Sequence, residues 1–231
     1  MATGKNPMKA ARKAEAAAEF SPATAERGFR LYPDYLCRLQ QEALVAALRQ
    51  VLDEAPPFTP LMPKSGRPFS VRMSNCGLLG WYSDQSSYRY ESIHPLTGRP
   101  WPPLPAALIA IWNEVAEFSQ PPEACLINLY SAGAKMGLHQ DRDEADFAAP
   151  VVSVSLGDSC LFRLGGRKRS DPTRSFRLNS GDVLVLGGRD RLAFHGVDRI
   201  YAGTSTLLAA GGRINLTMRR VTPPGTEAHA A

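Results

Sequence analysis

With 231 residues the chain fits one domain with an extension better than two full domains, and 27 Lys and Arg against 22 Asp and Glu give a net charge of +5, a mild basic bias that suits a polyanionic partner but also describes many ordinary proteins. Cys37, Cys76, Cys125 and Cys160 lie far apart with no CxxC pair, which argues against a disulfide framework or a zinc knuckle and for a reducing, cytoplasmic compartment. No run approaches the roughly 18 apolar residues that span a bilayer, and the first 20 residues lack a secretory h-region, so no membrane partner is expected.

In chain order, residues 1–20 are rich in Ala, Lys and Glu with few large apolar side chains, and are expected to form a flexible basic tail; Glu15 and Glu19 argue against a transit peptide. From Asp34, a plausible N-cap, the residues Leu36, Leu39, Ala43, Leu44, Ala47, Leu48, Val51 and Leu52 recur at helical spacing until Ala55-Pro56-Pro57. Residues 57–104, rich in Pro, Gly, Ser and aromatics, read as a loop-and-hairpin lid outside the core. A second helix is expected near Pro105, with Leu108, Ile111, Trp112, Val115 and Phe118 on one side, stopping before Pro121-Pro122. From 123 to 221 short β-like runs follow one another: ACLINLY, PVVSVSL, CLFRL, SFRL, DVLVL, RLAFHGV and RINLTMRRV, with turn residues such as Asn179-Ser180-Gly181-Asp182 between them. That pattern predicts an antiparallel barrel or jelly roll. Residues 21–221 are expected to form a single domain, with 222–231 a flexible tail.

Of four histidines, His94 precedes a proline and His229 sits near the C-terminus, which leaves His139 and His195 as ligand candidates. In Leu138-His139-Gln140-Asp141 an extended backbone points His139 and Asp141 to the same face, and His195 can join them when the barrel folds back. Two His and one carboxylate on one face of an octahedral ion leave three positions open, the arrangement of iron(II) oxygenases. An HxD triplet is also common without any metal. Zinc is the alternative ion, but no HExxH or further His/Cys ligand completes a zinc site.

The run Arg213-Ile214-Asn215-Leu216-Thr217-Met218-Arg219 alternates strictly, with four polar residues on one face and three apolar ones on the other. Facing outward, the two arginines are a solvated edge. Facing inward, they require anions, and a dicarboxylate such as 2-oxoglutarate provides one for each. A metal triad in the same chain favours the inward orientation.

Taken together, Asn128-Leu129-Tyr130, Gly133-Ala134-Lys135, His139-Gln140-Asp141, Val152 to Gly157, Gly181-Asp182, His195-Gly196 and Arg213-x-Asn215-x-Thr217-x-Arg219 resemble the bacterial AlkB family over about residues 60–221. The resemblance implies a mainly β (α+β) fold, a double-stranded β-helix with an N-terminal helical and hairpin nucleotide-recognition lid. It carries Fe(II) to His139, Asp141 and His195, and 2-oxoglutarate to Arg213, Asn128, Tyr130, Asn215 and Arg219, with O2 as the other co-substrate. Asn75-Cys76-Gly77, Gly80-Trp81 and Tyr88-Arg89-Tyr90 are similar to the family's lid. There Trp81 is implied to stack on the target base opposite His139, Tyr88 and Tyr90 to hold the nucleotide backbone, Asp143 to read the base edge and Arg169 to contact substrate. On composition alone these aromatics would be core and Asp143 a solvated loop acid. The chain departs from well-known bacterial members at Leu186, where an aromatic residue precedes the Gly-Gly pair.

The implied activity is oxidative demethylation of bases such as 1-methyladenine and 3-methylcytosine in DNA, preferentially single-stranded, releasing succinate, CO2 and formaldehyde. Demethylation of RNA or tRNA by the same mechanism is the alternative. A nucleic-acid-binding protein without turnover, and a hydroxylase of proteins or small molecules, are the readings from other classes. A monomer is the simplest assembly.

Overall fold

The computed structural model describes residues 28–223 and 225. The expected tail at 1–20, and all of 222–231 except residues 222, 223 and 225, lie outside the described residues.

Alternation of side chains organises the larger sheet. Its six antiparallel strands run in the order β1 (Phe29–Tyr32), β10 (Val183–Leu186), β7 (Val151–Gly157), β12 (Arg213–Arg219), β5 (Ala124–Tyr130) and β2 (Arg72–Gly77). One face of β12 sends Ile214, Leu216 and Met218 into a cluster with Val152, Val154, Val183, Val185 and Ile127. Against this face pack α1 (Arg38–Glu54), through Leu44, Val45, Leu48 and Val51, and α2 (Ala106–Val115), through Leu108, Ile111, Trp112 and Val115. Each such side chain contributes roughly 1.5–3 kcal/mol by burial, which is what binds the helices to the sheet.

A smaller sheet, β6 (Met136–His139), β11 (His195–Tyr201), β8 (Ser159–Leu164) and β9 (Arg174–Leu178), lies over the other face. Phe162, Leu164, Leu178, Val197 and Ile200 from it meet Met73, Leu126, Val151, Leu184 and Leu186 from the larger sheet in a second core. This is the expected jelly roll. A hairpin of β3 (Gly80–Ser83) and β4 (Tyr88–Glu91) completes the fold, with Trp81 opposite Tyr90.

Three expectations are corrected. The first helix starts at Arg38, not Asp34: Asp34 sits at φ 51°, outside helical space, and its N–H is accepted by Asp182 Oδ1 at 2.9 Å, while Gln40 Oε1 accepts the N–H of the cap residue Cys37 at 2.9 Å. The segment 57–104 is not all lid, because β2 pairs with β5 along its whole length and places Met73 and Cys76 in the cores, with Val71 just before it. Gly77 ends that strand at φ 120°, where a Cβ would stand 2.3 Å from the Glu123 carbonyl oxygen. Lastly, the run from Arg191 becomes a strand only at His195, because the 3-10 turn Gly188–Asp190 and the buried Arg191 side chain occupy its start.

Candidate active site

The two sheets leave between them a cavity of ≈ 1040 Å³. Single-ligand pockets are usually about 300–1,000 Å³, so this one has room for a small acid and part of a base together. Twelve of the thirteen sequence-identified site residues line it; Tyr90 does not.

His139 closes β6 and His195 opens β11, and the pairing of those strands sets the two residues opposite one another, with ring centroids 4.5 Å apart. Asp141 follows two residues after His139, beyond the strand end. One donor atom from each of the three lies within 4.8 Å of the others. Both imidazoles are oriented from behind: His139 Nδ1 lies 2.9 Å from the Gly137 carbonyl and His195 Nδ1 3.0 Å from that of Ala193. A carbonyl only accepts, so each Nδ1 carries the proton and each Nε2 keeps its lone pair. Those Nε2 atoms lie 3.7 Å from the two oxygens of Asp141. Burial pushes the His195 imidazole down to about 4, with His139 adding to the effect, so it is neutral and available as a ligand near pH 7.

Burial would raise the Asp141 carboxyl, but the Arg219 guanidinium, 2.8 Å from Oδ1, together with the two histidines and Arg191 holds it well below the usual carboxylate range. Asp141 Oδ2 has no hydrogen-bond partner although buried. A charged oxygen in that state costs free energy unless something cationic meets it, and two aimed imidazole lone pairs beside it form the donor set of a divalent metal. The residues present fit such an ion.

Behind Asp141 lies an ionic network that sequence reasoning missed. Glu144 is fully buried; its Oε2 pairs with Arg191 at 2.9 Å, and its Oε1 accepts the Tyr90 hydroxyl at 2.5 Å and lies 3.3 Å from Arg219 Nε. Arg191, 2% exposed, also donates to the backbone carbonyls of Asp141 at 2.6 Å and Ala149 at 2.8 Å. The lid strand β4 is thereby tied to the loop that carries Asp141. Burial raises the Tyr90 phenol well above its ordinary value, so it acts as a neutral donor to Glu144. Its hydroxyl is turned into the protein, away from the nucleotide contact expected from sequence.

The polar face of β12 does point inward: Arg213, Asn215, Thr217 and Arg219 all line the cavity. Arg213, 2% exposed, donates to Ser155 Oγ at 2.7 Å, yet its Nε has no partner, and neither has Asn128 Oδ1 opposite Asn215 on β5. Asn215 donates to Ser153 Oγ at 2.7 Å and accepts from Thr217 at 3.0 Å. No acid is paired with Arg213 among the described residues. A buried guanidinium with an unused donor is a site for a carboxylate.

At the cavity mouth, Asn75 clamps the backbone of Trp81 with two 3.0 Å hydrogen bonds, and the Trp81 indole donates to Asp143 Oδ2 at 2.8 Å. Tyr88 stacks on Trp81 with centroids 5.5 Å apart and planes at 22°. Arg169 lies over the Phe194 ring at 5.1 Å. Leu186 is 1% exposed and forms part of the apolar floor with Leu126 and Leu184. His94 is buried in a loop, 3.0 Å from the Pro56 carbonyl through Nε2, and takes no part in the site.

Comparison with known proteins agrees with this geometry. The family model of the 2OG-Fe(II) oxygenase superfamily matches residues 28–219. The chain is 54% identical over 199 residues, 86% of its own length and 90% of the relative's, to an alpha-ketoglutarate-dependent dioxygenase AlkB homolog of Caulobacter vibrioides. It is 42% identical over 183 residues, 78% of this chain and 84% of the other, to alpha-ketoglutarate-dependent dioxygenase AlkB of Escherichia coli K12. The solved structure of OsALKBH1 superposes with a TM-score of 0.69 at 31% identity, covering 85% of this chain and 100% of that one. The chain therefore belongs to the 2OG-Fe(II) oxygenase superfamily and, within it, to the AlkB dioxygenases, enzymes that work with iron(II), 2-oxoglutarate and O2.

Proposed function

We propose that this enzyme oxidatively demethylates damaged bases such as 1-methyladenine and 3-methylcytosine, preferentially in single-stranded DNA. The observation that carries the reading is the meeting, in one cavity, of a His-Asp-His donor set, two buried arginines on one strand face and an aromatic lid. In this reading His139, Asp141 and His195 hold the iron, and Arg213, whose Nε is unpaired, takes the far end of 2-oxoglutarate together with the amide NH2 of Asn128, beside Tyr130 and Asn215. Iron and 2-oxoglutarate bound together supply O2 activation and hydroxylation of the N-alkyl carbon, after which the hemiaminal releases formaldehyde and leaves the base intact.

The chain's own residues bind and orient. Arg219 offsets negative charge at Asp141 and at the near end of the co-substrate. Trp81 offers a face to the base, Tyr88, stacked beside it, holds the nucleotide backbone, and Asp143 accepts from an exocyclic amine while keeping the Trp81 indole fixed. Arg169 contacts phosphate at the mouth, and Leu126, Leu184 and Leu186 keep water from the alkyl carbon. Tyr90 serves through Glu144, not by touching the nucleotide backbone. The same reading makes residues 21–221 one catalytic domain acting as a cytoplasmic monomer, in keeping with four free thiols.

The test is formaldehyde and succinate release from a 1-methyladenine-containing single-stranded oligonucleotide with Fe(II) and ascorbate, with and without 2-oxoglutarate, beside the same sequence as RNA. Stoichiometric release dependent on 2-oxoglutarate and faster on DNA is expected. Faster release on RNA reassigns the polymer, and no release on either sinks the demethylase reading.

A further inference from the structure

The outer face of the smaller sheet carries a row of arginines that the site does not use. Cys160, Phe162 and Leu164 of β8 point into the core, so the alternate residues Leu161 and Arg163 point out. Arg177 on β9 and Arg199 on β11 are both paired in register with Leu161 and share its outward face. Both are exposed, and neither makes an ion pair among the described residues. Beyond Arg163, β8 runs into the loop 165–171, which exposes Arg167, Lys168 and Arg169.

Two of the strand arginines and the base of the loop are held in place. Arg177 lies over the Tyr201 ring at 5.0 Å, and Arg163 is fixed by Thr173 Oγ1 at 2.9 Å and by Asp198 at 3.4 Å. The loop is pinned at its base by Gly165 N–H to Phe194 O at 2.7 Å, Phe194 N–H to Gly166 O at 2.8 Å and Lys168 N–H to Asp171 Oδ2 at 2.9 Å. Six cations therefore face two acids, Asp171 and Asp198, and Arg169 at one end of the stripe lines the cavity. At about 3.3 Å per residue the stripe runs roughly 20 Å from Leu161 to the loop, and Arg177 and Arg199 stand roughly 10 Å apart across it. A stacked strand rises about 3.4 Å per nucleotide, so the stripe spans several phosphates.

We infer that this stripe is a docking surface for the sugar-phosphate backbone of the same strand, flanking the nucleotide held in the cavity, with Arg163, Arg177 and Arg199 as its far contacts. The inference rests on the proposed nucleic-acid substrate. Its chemistry is that of preordered guanidiniums meeting phosphate, a sequence-independent and salt-dependent attraction that lengthens the bound segment without touching the reaction.

The test compares a methylated trinucleotide with a single-stranded 12-mer carrying the same central lesion, for the wild type and for Arg177→Gln/Arg199→Gln. Wild-type KM is expected to fall about tenfold or more from trimer to 12-mer. The variant should lose most of that gain while keeping trimer kcat and KM and its melting temperature. The slope of log affinity against log salt for the 12-mer, read by fluorescence anisotropy, should drop by about 0.7 per arginine removed. Arg167→Gln/Lys168→Gln, in the adjoining loop, should produce a loss of the same kind. A variant with wild-type length dependence and salt slope overturns the proposal, as does a loss confined to duplex substrate, which would assign the stripe to the complementary strand. Absence of wild-type turnover on the trimer would count against the proposed reaction; the anisotropy slope would still decide the stripe.

Discussion

Replacing Glu144 by Gln isolates the network behind the metal site. The side chain keeps its shape and one acceptor oxygen, but Arg191, 2% exposed, and Arg219, 5% exposed, lose the carboxylate that each faces, at 2.9 and 3.3 Å. Arg219 retains Asp141 at 2.8 Å; Arg191 retains backbone carbonyls and the Phe147 ring 5.5 Å away, but no carboxylate. One buried guanidinium thus becomes unpaired, and breaking a buried pair from one side costs about 3–5 kcal/mol. The retained amide oxygen favours the lower end, about 3 kcal/mol, or a fall in melting temperature of roughly 6–12 °C for a chain of this size. Calorimetry or far-UV circular dichroism on metal-free protein reads the shift. The double variant Glu144→Gln/Arg191→Met should recover part of it, because the orphaned charge is removed. A Glu144→Gln melting temperature within 2 °C of wild type would refute the reasoning, since it would mean that the pair adds nothing to the fold.

His139→Ala should abolish formaldehyde release while leaving a protein with wild-type circular dichroism, because its side chain is 39% exposed and supports little packing; normal turnover would remove it from the metal set. Arg213→Met should raise the Kd for 2-oxoglutarate by about 10- to 150-fold, the worth of one charge-assisted hydrogen bond at roughly 1.5–3 kcal/mol, and titration calorimetry would show no change if the carboxylate binds elsewhere. Trp81→Ala should raise KM for the methylated oligonucleotide by about 5- to 150-fold, from roughly 1–3 kcal/mol of stacking. Trp81→Phe should restore most of that but not the 2.8 Å bond to Asp143, so equal KM values for the two variants would contradict a stacking role.

The strands were legible where period-two alternation was strong. β5 and β7 begin and end within one residue of their sequence-read bounds and β12 within two, since burial on both faces or strict alternation leaves no other register. β1 and β2 were missed because Phe29–Tyr32 is short and Arg72–Gly77 is polar and set among prolines and glycines. The donors of the metal set were legible as a spacing, although Asp141 reaches its place from beyond the strand end. Glu144 and Arg191 could not be found that way. Each is a single charge in an irregular segment, 47 residues from the other, and only the folded chain brings them together. Tyr90 was recognised as a lid aromatic, but period two says which face a tyrosine takes, not whether its hydroxyl meets water or a buried acid.

The position of β12 in the larger sheet has a consequence for biosynthesis. The last strand of the described chain lies between β7 and β5 and bridges them along its whole length, so neither half of that sheet closes before Arg219 has left the ribosome. A nascent chain already carrying His139, Asp141 and His195 still lacks Arg213 and Arg219. A product truncated before β12 is left with two open sheet edges, one on β7 and one on β5, each a template for pairing with another chain.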